Sequence, residues 1–225
     1  FDLDIKNYVS VNFNALVKVI DALGGIDIKM TKEEAHWCNL YGAETARVIG
    51  EHWSDIEEKA GTQHLDGIHG VAYARIRYTS GNDFKRAQRQ RIVLEKVAKK
   101  AQKANFITLN KIVNEVFPMI STSFSSKQIL GFAANALNYN LVSTNGFPYQ
   151  VTTSETVKNH SDVSFVIPIG LEQNVKQLHQ ELFNDDSYEA SDKVKEIDSD
   201  IVYLTDITAD NTDAMESTFK GDSLN

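Results

Sequence analysis

A chain of 225 residues with 42% hydrophobic and 24% charged residues has globular composition and fits one large domain or two small ones. Its single cysteine, Cys38, excludes an intrachain disulfide and leaves the redox compartment undecided, and no apolar run is long enough to span a membrane. The formal charge of -8 is unevenly placed: twelve acids against three lysines from Asn184 to Asn225 leave the preceding 183 residues at about +1.

Phe1 opens directly into patterned sequence without an initiator Met or signal peptide, so the chain reads as a fragment. Tyr8 to Phe13 alternates as a strand does, and Asn14 can cap a helix carrying Leu16, Val17, Ile20 and Leu23 at helical spacing. Gly24 and Gly25 end it, and Ile26 to Met30 alternates again. Residues 31–60 are polar and weakly periodic, which predicts short helices in an excursion from the core. Asp66 can cap a helix through Ile68, Val71, Ala72 and Ile76 that delivers Arg75 and Arg77 at its end.

After a loop from Tyr78 to Asn82, Asp83 is placed to cap the longest helix, about residues 84–103. Its predicted inner face is Phe84, Ala87, Leu94, Val97, Ala98 and Ala101, with Asn105 at its exit. Leu109 to Val116 and Lys127 to Leu137 read as packing helices, Val142 to Phe147 and Ser164 to Ile167 as strands, and Glu172 to Phe183 as a helix. Beyond Ile207 the chain is acidic and poor in apolar residues, an end expected to be mobile or held from outside the domain.

The segment Arg75 to Lys103 concentrates ten basic residues against Asp83 and Glu95, an anion-attracting stretch. Its arginines gather around the start of a long helix, where backbone N–H groups lack intrahelical acceptors and the macrodipole is positive. Asp83, Arg86 and Gln90 fall along one helix face by their spacing, and Arg75 and Arg77 approach from the preceding loop. Guanidinium forks make paired, charge-assisted hydrogen bonds to phosphate oxygens, so several could hold a pyrophosphate and stabilise charge during phosphoryl transfer. Taken singly, Asp83 is more readily a helix cap, Gln90 a packing glutamine and each arginine a surface ion-pair partner. Arg89 and Arg91 project off that face and are assigned to solvent or a neighbouring helix.

The run Tyr73 to Arg91, an R-x-R pair followed by a loop and D-F-x-R-x-x-R-Q, resembles the signature region of the LytR-CpsA-Psr family. Asp21 to Ile28 (DALGGIDI) and Gly61 to Gly67 (GTQHLDG) are similar to two further segments of that family, in the same order, over about residues 1–183. The resemblance implies an α/β fold, an α/β/α-type layered domain with a central mixed sheet flanked by helices, here lacking the N-terminal strands. It implies a catalytic portion over residues 1–202 followed by an acidic tail, 203–225. The implied activity is a phosphotransferase at the extracellular face of the membrane or in the cell wall, moving a glycan phosphate from a polyprenyl-pyrophosphate carrier to peptidoglycan. The resemblance leaves the glycan open among teichoic acid, capsule and another secondary polymer of Gram-positive bacteria.

Carried over by position, Arg75, Arg77, Arg86 and Gln90 would grip the pyrophosphate, with Arg86 also catalytic and Asp83 orienting the arginines or acting as base. The resemblance also implies magnesium, its ligands and a membrane anchor upstream of this chain, and a greasy slot walled by helices at 15–23, 84–101 and 109–116. The six histidines are dispersed, with no metal-ligand spacing, and no G-x-S-x-G elbow, P-loop or dinucleotide fingerprint occurs. Non-catalytic binding of polyprenyl phosphate or a polyanion, and a nucleic-acid-binding regulator, are the competing readings. A recognition-helix pattern is lacking, and nucleic acid is not expected as a partner.

Overall fold

The computed structural model describes residues 1–78, 82–135, 138–139, 145–158 and 160–216. Two compact units emerge, one of residues 6–144 and one of residues 145–225 joined by residues 1–5. The fold is mixed α/β, with its strands among the described residues in three small antiparallel sheets.

The first unit opens with β1 (Val9–Val11), α1 (Phe13–Ala22) and β2 (Ile26–Met30). The cap of α1 is Asn12 rather than the predicted Asn14: its side chain accepts the backbone N–H of Ala15 at 2.8 Å. Gly24 and Gly25 have φ of 73° and 76°, a left-handed turn that Gly25 also fills for lack of room: a Cβ there would stand 2.7 Å from the Leu65 carbonyl oxygen. β2 pairs with β3 (Gly61–Leu65) in the register Ile26 to Leu65 through Met30 to Gly61.

Residues 31–60 depart from expectation, because a single helix, α2 (Lys32–Ile49), occupies most of them. Thr31 and Glu34 form a capping box at its start, and Gly50 ends it in a left-handed conformation. The weak periodicity has a physical cause. One face, with Ala35, Cys38, Asn39, Gly42, Thr45 and Ala46, is buried, while Trp37, Leu40 and Tyr41 sit off it, so apolar residues surround the helix.

Asp66 caps α3 (Gly67–Arg75) as predicted, accepting from the backbone N–H of His69 and sitting 2.8 Å from its ring Nδ1. Burial pushes the Asp66 carboxyl up, but the bonds from His69 outweigh it and hold it below its ordinary range. Every residue of α3 from Gly67 to Ala74 is buried, and the helix packs against α1, α2 and α4 (Asn82–Gln102). It is the centre of the unit, in a core with Ile20, Ile26, Ile28, Leu65, Ile76 and Val93.

The inner face of α4 follows the prediction only in part: Val97 packs against the core as expected. Leu94 is 59% exposed, whereas Val93 and Arg89 are buried, a face set by where β2 and α3 lie rather than by the apolar count alone. Asn105, expected to mark the exit of that helix, caps α5 (Phe106–Val116), which packs on α1. A short 3-10 turn leads to β4 (Ile120–Thr122), paired with β1, and then to α6 (Ser126–Ala134).

In the second unit, β5 (Gln150–Val157) pairs with β6 (His160–Pro168) and with β7 (Met215–Glu216). Of the strand predicted over Val142 to Phe147, residues 142–144 lie outside the described residues and 145–147 form no strand; β5 begins at Gln150. α7 (Leu171–Phe183) follows the prediction closely, while α8 (Asp192–Thr205) was not anticipated within the acidic stretch. Ser191 caps α8, whose Val194 joins Leu171, Val175 and Ala190 in a small core. Met215 and Glu216, expected in a loose tail, are held within the unit by pairing with Val151 and Gln150. The rest of that tail, 217–225, lies outside the described residues.

Candidate functional site

Two helix faces and one helix exit meet in the first unit. On α2, Trp37, Leu40, Tyr41 and Glu44 recur at intervals of three and four, so they form one stripe opposite the buried face. On α4, Arg86 and Gln90 are one turn apart. Between them the chain leaves α3 through Arg75, Arg77 and Tyr78. With Phe13 at the start of α1, these residues line a cavity of about 560 Å³. Arg75, Arg77, Arg86 and Gln90, contributed by the end of α3, the segment after it and α4, thus share a single concavity.

Arg75 is anchored by hydrogen bonds and by aromatic faces. Its Nη1 donates to the Thr45 hydroxyl at 2.8 Å and its Nη2 to Glu44 at 3.0 Å. The guanidinium lies 4.8 Å from the Phe13 ring centroid and 5.4 Å from that of Tyr41, a cation held between two π faces. Thr45 in turn donates to the Tyr41 carbonyl at 2.7 Å, so a buried hydroxyl uses both its donor and an acceptor lone pair. The Glu44 carboxylate partly offsets the positive field, and an incoming anion would compete with it for Arg75.

The aromatic side of the cavity went unread in the sequence. Trp37 and Tyr78 have centroids 5.1 Å apart, and Tyr41 stands 6.4 Å from Trp37 and 6.5 Å from Tyr78. The signal that could have found these residues was the 37, 40, 41, 44 spacing after the T-x-x-E box at Thr31.

Arg89 overturns the assignment to solvent while keeping that to a neighbouring helix. Its side chain is 4% exposed, its Nε donates to Glu34 at 2.9 Å, and its Nη1 donates to the Ile76 carbonyl at 3.1 Å. Glu34 also accepts the Thr31 N–H of the capping box at 2.9 Å. One buried ion pair therefore ties the start of α2, the exit of α3 and the second turn of α4, the three places that carry the cavity lining.

Asp83 falls within the first turn of α4, which begins at Asn82, rather than before the helix, and its side chain lies outside the described residues, as do residues 79–81 of the preceding loop. Cys38 offers no nucleophile: burial pushes its thiol up to about 12, and it donates to the His69 carbonyl. Among the described residues no group of three or more His, Cys, Asp or Glu side chains could hold a metal. Among the described residues the cavity lining has one carboxylate, Glu44, already paired with Arg75, which does not compose the oxygen-rich octahedron magnesium requires. No helix of the described residues is long and apolar enough to cross a membrane. The inner faces of α1 and α4, expected as walls of a greasy slot, place Ile20 and Val93 in the closed core.

The three segments singled out in the sequence also prove to be one structural unit. Asp21 of DALGGIDI accepts the Gly67 N–H of GTQHLDG at 2.7 Å, at the head of the helix that ends in Arg75.

Comparison with known proteins shows relatives of one family. The chain is 28% identical over 170 residues to Biofilm regulatory protein A of Streptococcus mutans, covering 68% of this chain and 39% of that protein. It is 32% identical over 111 residues to the polyisoprenyl-teichoic acid–peptidoglycan teichoic acid transferase TagU of Halalkalibacterium halodurans, covering 49% of this chain and 31% of that protein. The chain thus spans well under half the length of these relatives. A solved structure of TagT bound to LIIa-WTA shares the fold, with a TM-score of 0.56 at 20% identity over 83% of this chain and 64% of that one. The LytR_cpsA_psr family model matches residues 1–183, most of the chain, and this protein belongs to that family.

Proposed function

We propose that this chain supplies the diphosphate-gripping part of a phosphotransferase site that moves an anionic glycan phosphate from a polyprenyl-pyrophosphate carrier to peptidoglycan, at the outer face of the membrane or in the cell wall. The observation that carries this reading is the convergence of Arg75, Arg77, Arg86 and Gln90 on one cavity. Guanidinium forks suit the non-bridging oxygens of a diphosphate, and their fixed positions would stabilise charge building on the leaving phosphate. Two of the relatives' names, TagU and TagT bound to LIIa-WTA, concern teichoic acid, which supports a glycan of that class. In this reading Arg86 contacts the reacting phosphate, and Asp83, at the head of α4, orients the arginines or takes the acceptor's proton. Among the described residues the cavity lining provides no set of ligands for magnesium.

The test is calorimetric titration of the protein with farnesyl pyrophosphate. Arg86→Ala removes a charge-assisted contact worth about 1.5–3 kcal/mol, so affinity should fall roughly 10-fold or more. Equal binding by wild type and Arg86→Ala would refute the assignment. Tight, steeply salt-dependent binding of duplex DNA in its place would favour a nucleic-acid regulator.

A further inference from the structure

We infer that the rings of Trp37, Tyr41 and Tyr78 form a saccharide platform, on which the first sugar beyond the diphosphate lies. The inference rests on the diphosphate reading of the same cavity and adds to it the part of the substrate that this chain reads.

The rings are clustered, with centroid separations of 5.1, 6.4 and 6.5 Å, and they share one cavity with Arg75 and Arg86. A group bonded to a diphosphate held by those arginines must leave it either toward this wall or away from it. The wall is not shaped for an isoprenoid chain. An isoprenoid calls for a closed aliphatic surface, whereas Tyr78 is 66% exposed and Leu40 50% exposed. Each ring also ends in a polar group, an indole N–H or a phenol hydroxyl. A pyranose matches such a surface: one face of C–H groups for the rings and a rim of hydroxyls for the polar edges. Glu44, beside Tyr41 on the same stripe of α2, adds an acceptor for a sugar hydroxyl or amide N–H. Nucleobases also stack on aromatic rings, and a nucleoside diphosphate is the competing occupant.

Three probes separate the possibilities: farnesyl pyrophosphate, farnesyl-pyrophosphoryl-N-acetylglucosamine and ADP. Stacking on this platform predicts that the sugar-bearing probe binds about fivefold tighter than the sugarless one. Tyr78→Ala, at an exposed position, should lower affinity for the sugar-bearing probe at least about threefold more than for the sugarless one. Trp37→Phe, which keeps a ring, should retain most of the sugar increment, and Trp37→Leu should lose it. Equal affinity of the two farnesyl probes for the wild type overturns this inference and leaves the diphosphate reading standing. A uniform loss across both probes in Tyr78→Ala and Trp37→Leu overturns it as well, since the rings would then serve the lipid or the fold. ADP binding tighter than the sugar-bearing probe assigns the platform to a base. Failure of both farnesyl probes to bind overturns the diphosphate reading and the platform with it.

Discussion

Arg89 shows how one side chain can matter to a site without touching it. Its guanidinium is buried with Glu34, a carboxylate whose side chain is only 16% exposed, and its second nitrogen holds the carbonyl of Ile76, the residue between Arg75 and Arg77. Removing one partner of such a pair leaves the other charged and desolvated, at about 3–5 kcal/mol, while the intact pair contributes little beyond what apolar packing would. Arg89→Met should therefore destabilise the first unit by about that amount in urea denaturation, and Arg89→Lys should restore only part of it because an ammonium cannot reproduce the fork. A loss of less than about 1 kcal/mol for Arg89→Met would show the pair to be dispensable. The sequence carried the charge of Arg89 but not its direction. Basic residues spaced along a helix look alike until the faces are assigned, and here Arg86 and Gln90 line a cavity while Arg89, between them, points into the core.

At the scale of elements, the start of α3 is the tightest joint. Gly67 lies so close to α1 that an added Cβ would stand 2.3 Å from the Val17 carbonyl oxygen, a backbone atom that cannot step aside. Its N–H is also the donor to Asp21. Gly67→Ala must separate α1 from α3 and stretch that bond, which places its cost at or above the roughly 1–3 kcal/mol of ordinary overpacking. Thermal unfolding of this variant should show a clear fall in Tm, and a Tm within error of the wild type would contradict the close approach. The sequence announced this helix through Asp66, and the end of α1 through the paired glycines Gly24 and Gly25. It could not announce α2 as one helix, because a helix buried on one side and facing an aromatic cavity on the other has no single apolar stripe to detect. α8 was missed for a related reason: its acids other than Asp198, which accepts the Leu171 N–H, are exposed, and the helix buries chiefly Val194.

Across the whole molecule, burial is graded within the first unit. α3 is enclosed by three other helices, whereas every residue of β1 is exposed. Local opening should follow that gradient, so amides of α3 should exchange with deuterium slowest and those of β1 and β4 among the fastest. Comparable protection in α3 and β1 would show that the helix cluster is not the core of the unit. The sequence by itself determined the ends of several elements, the α/β class and the concentration of arginines near residues 75–91, since caps, alternation and local charge are properties of neighbours along the chain. Tertiary structure alone decided which arginines face the cavity and which the core, and it alone brought the stripe of α2 up to them. Those outcomes depend on packing between residues 30–55 positions apart, as in the bonds from Arg75 to Thr45 and from Arg89 to Glu34, and such pairings leave no periodic mark in the chain.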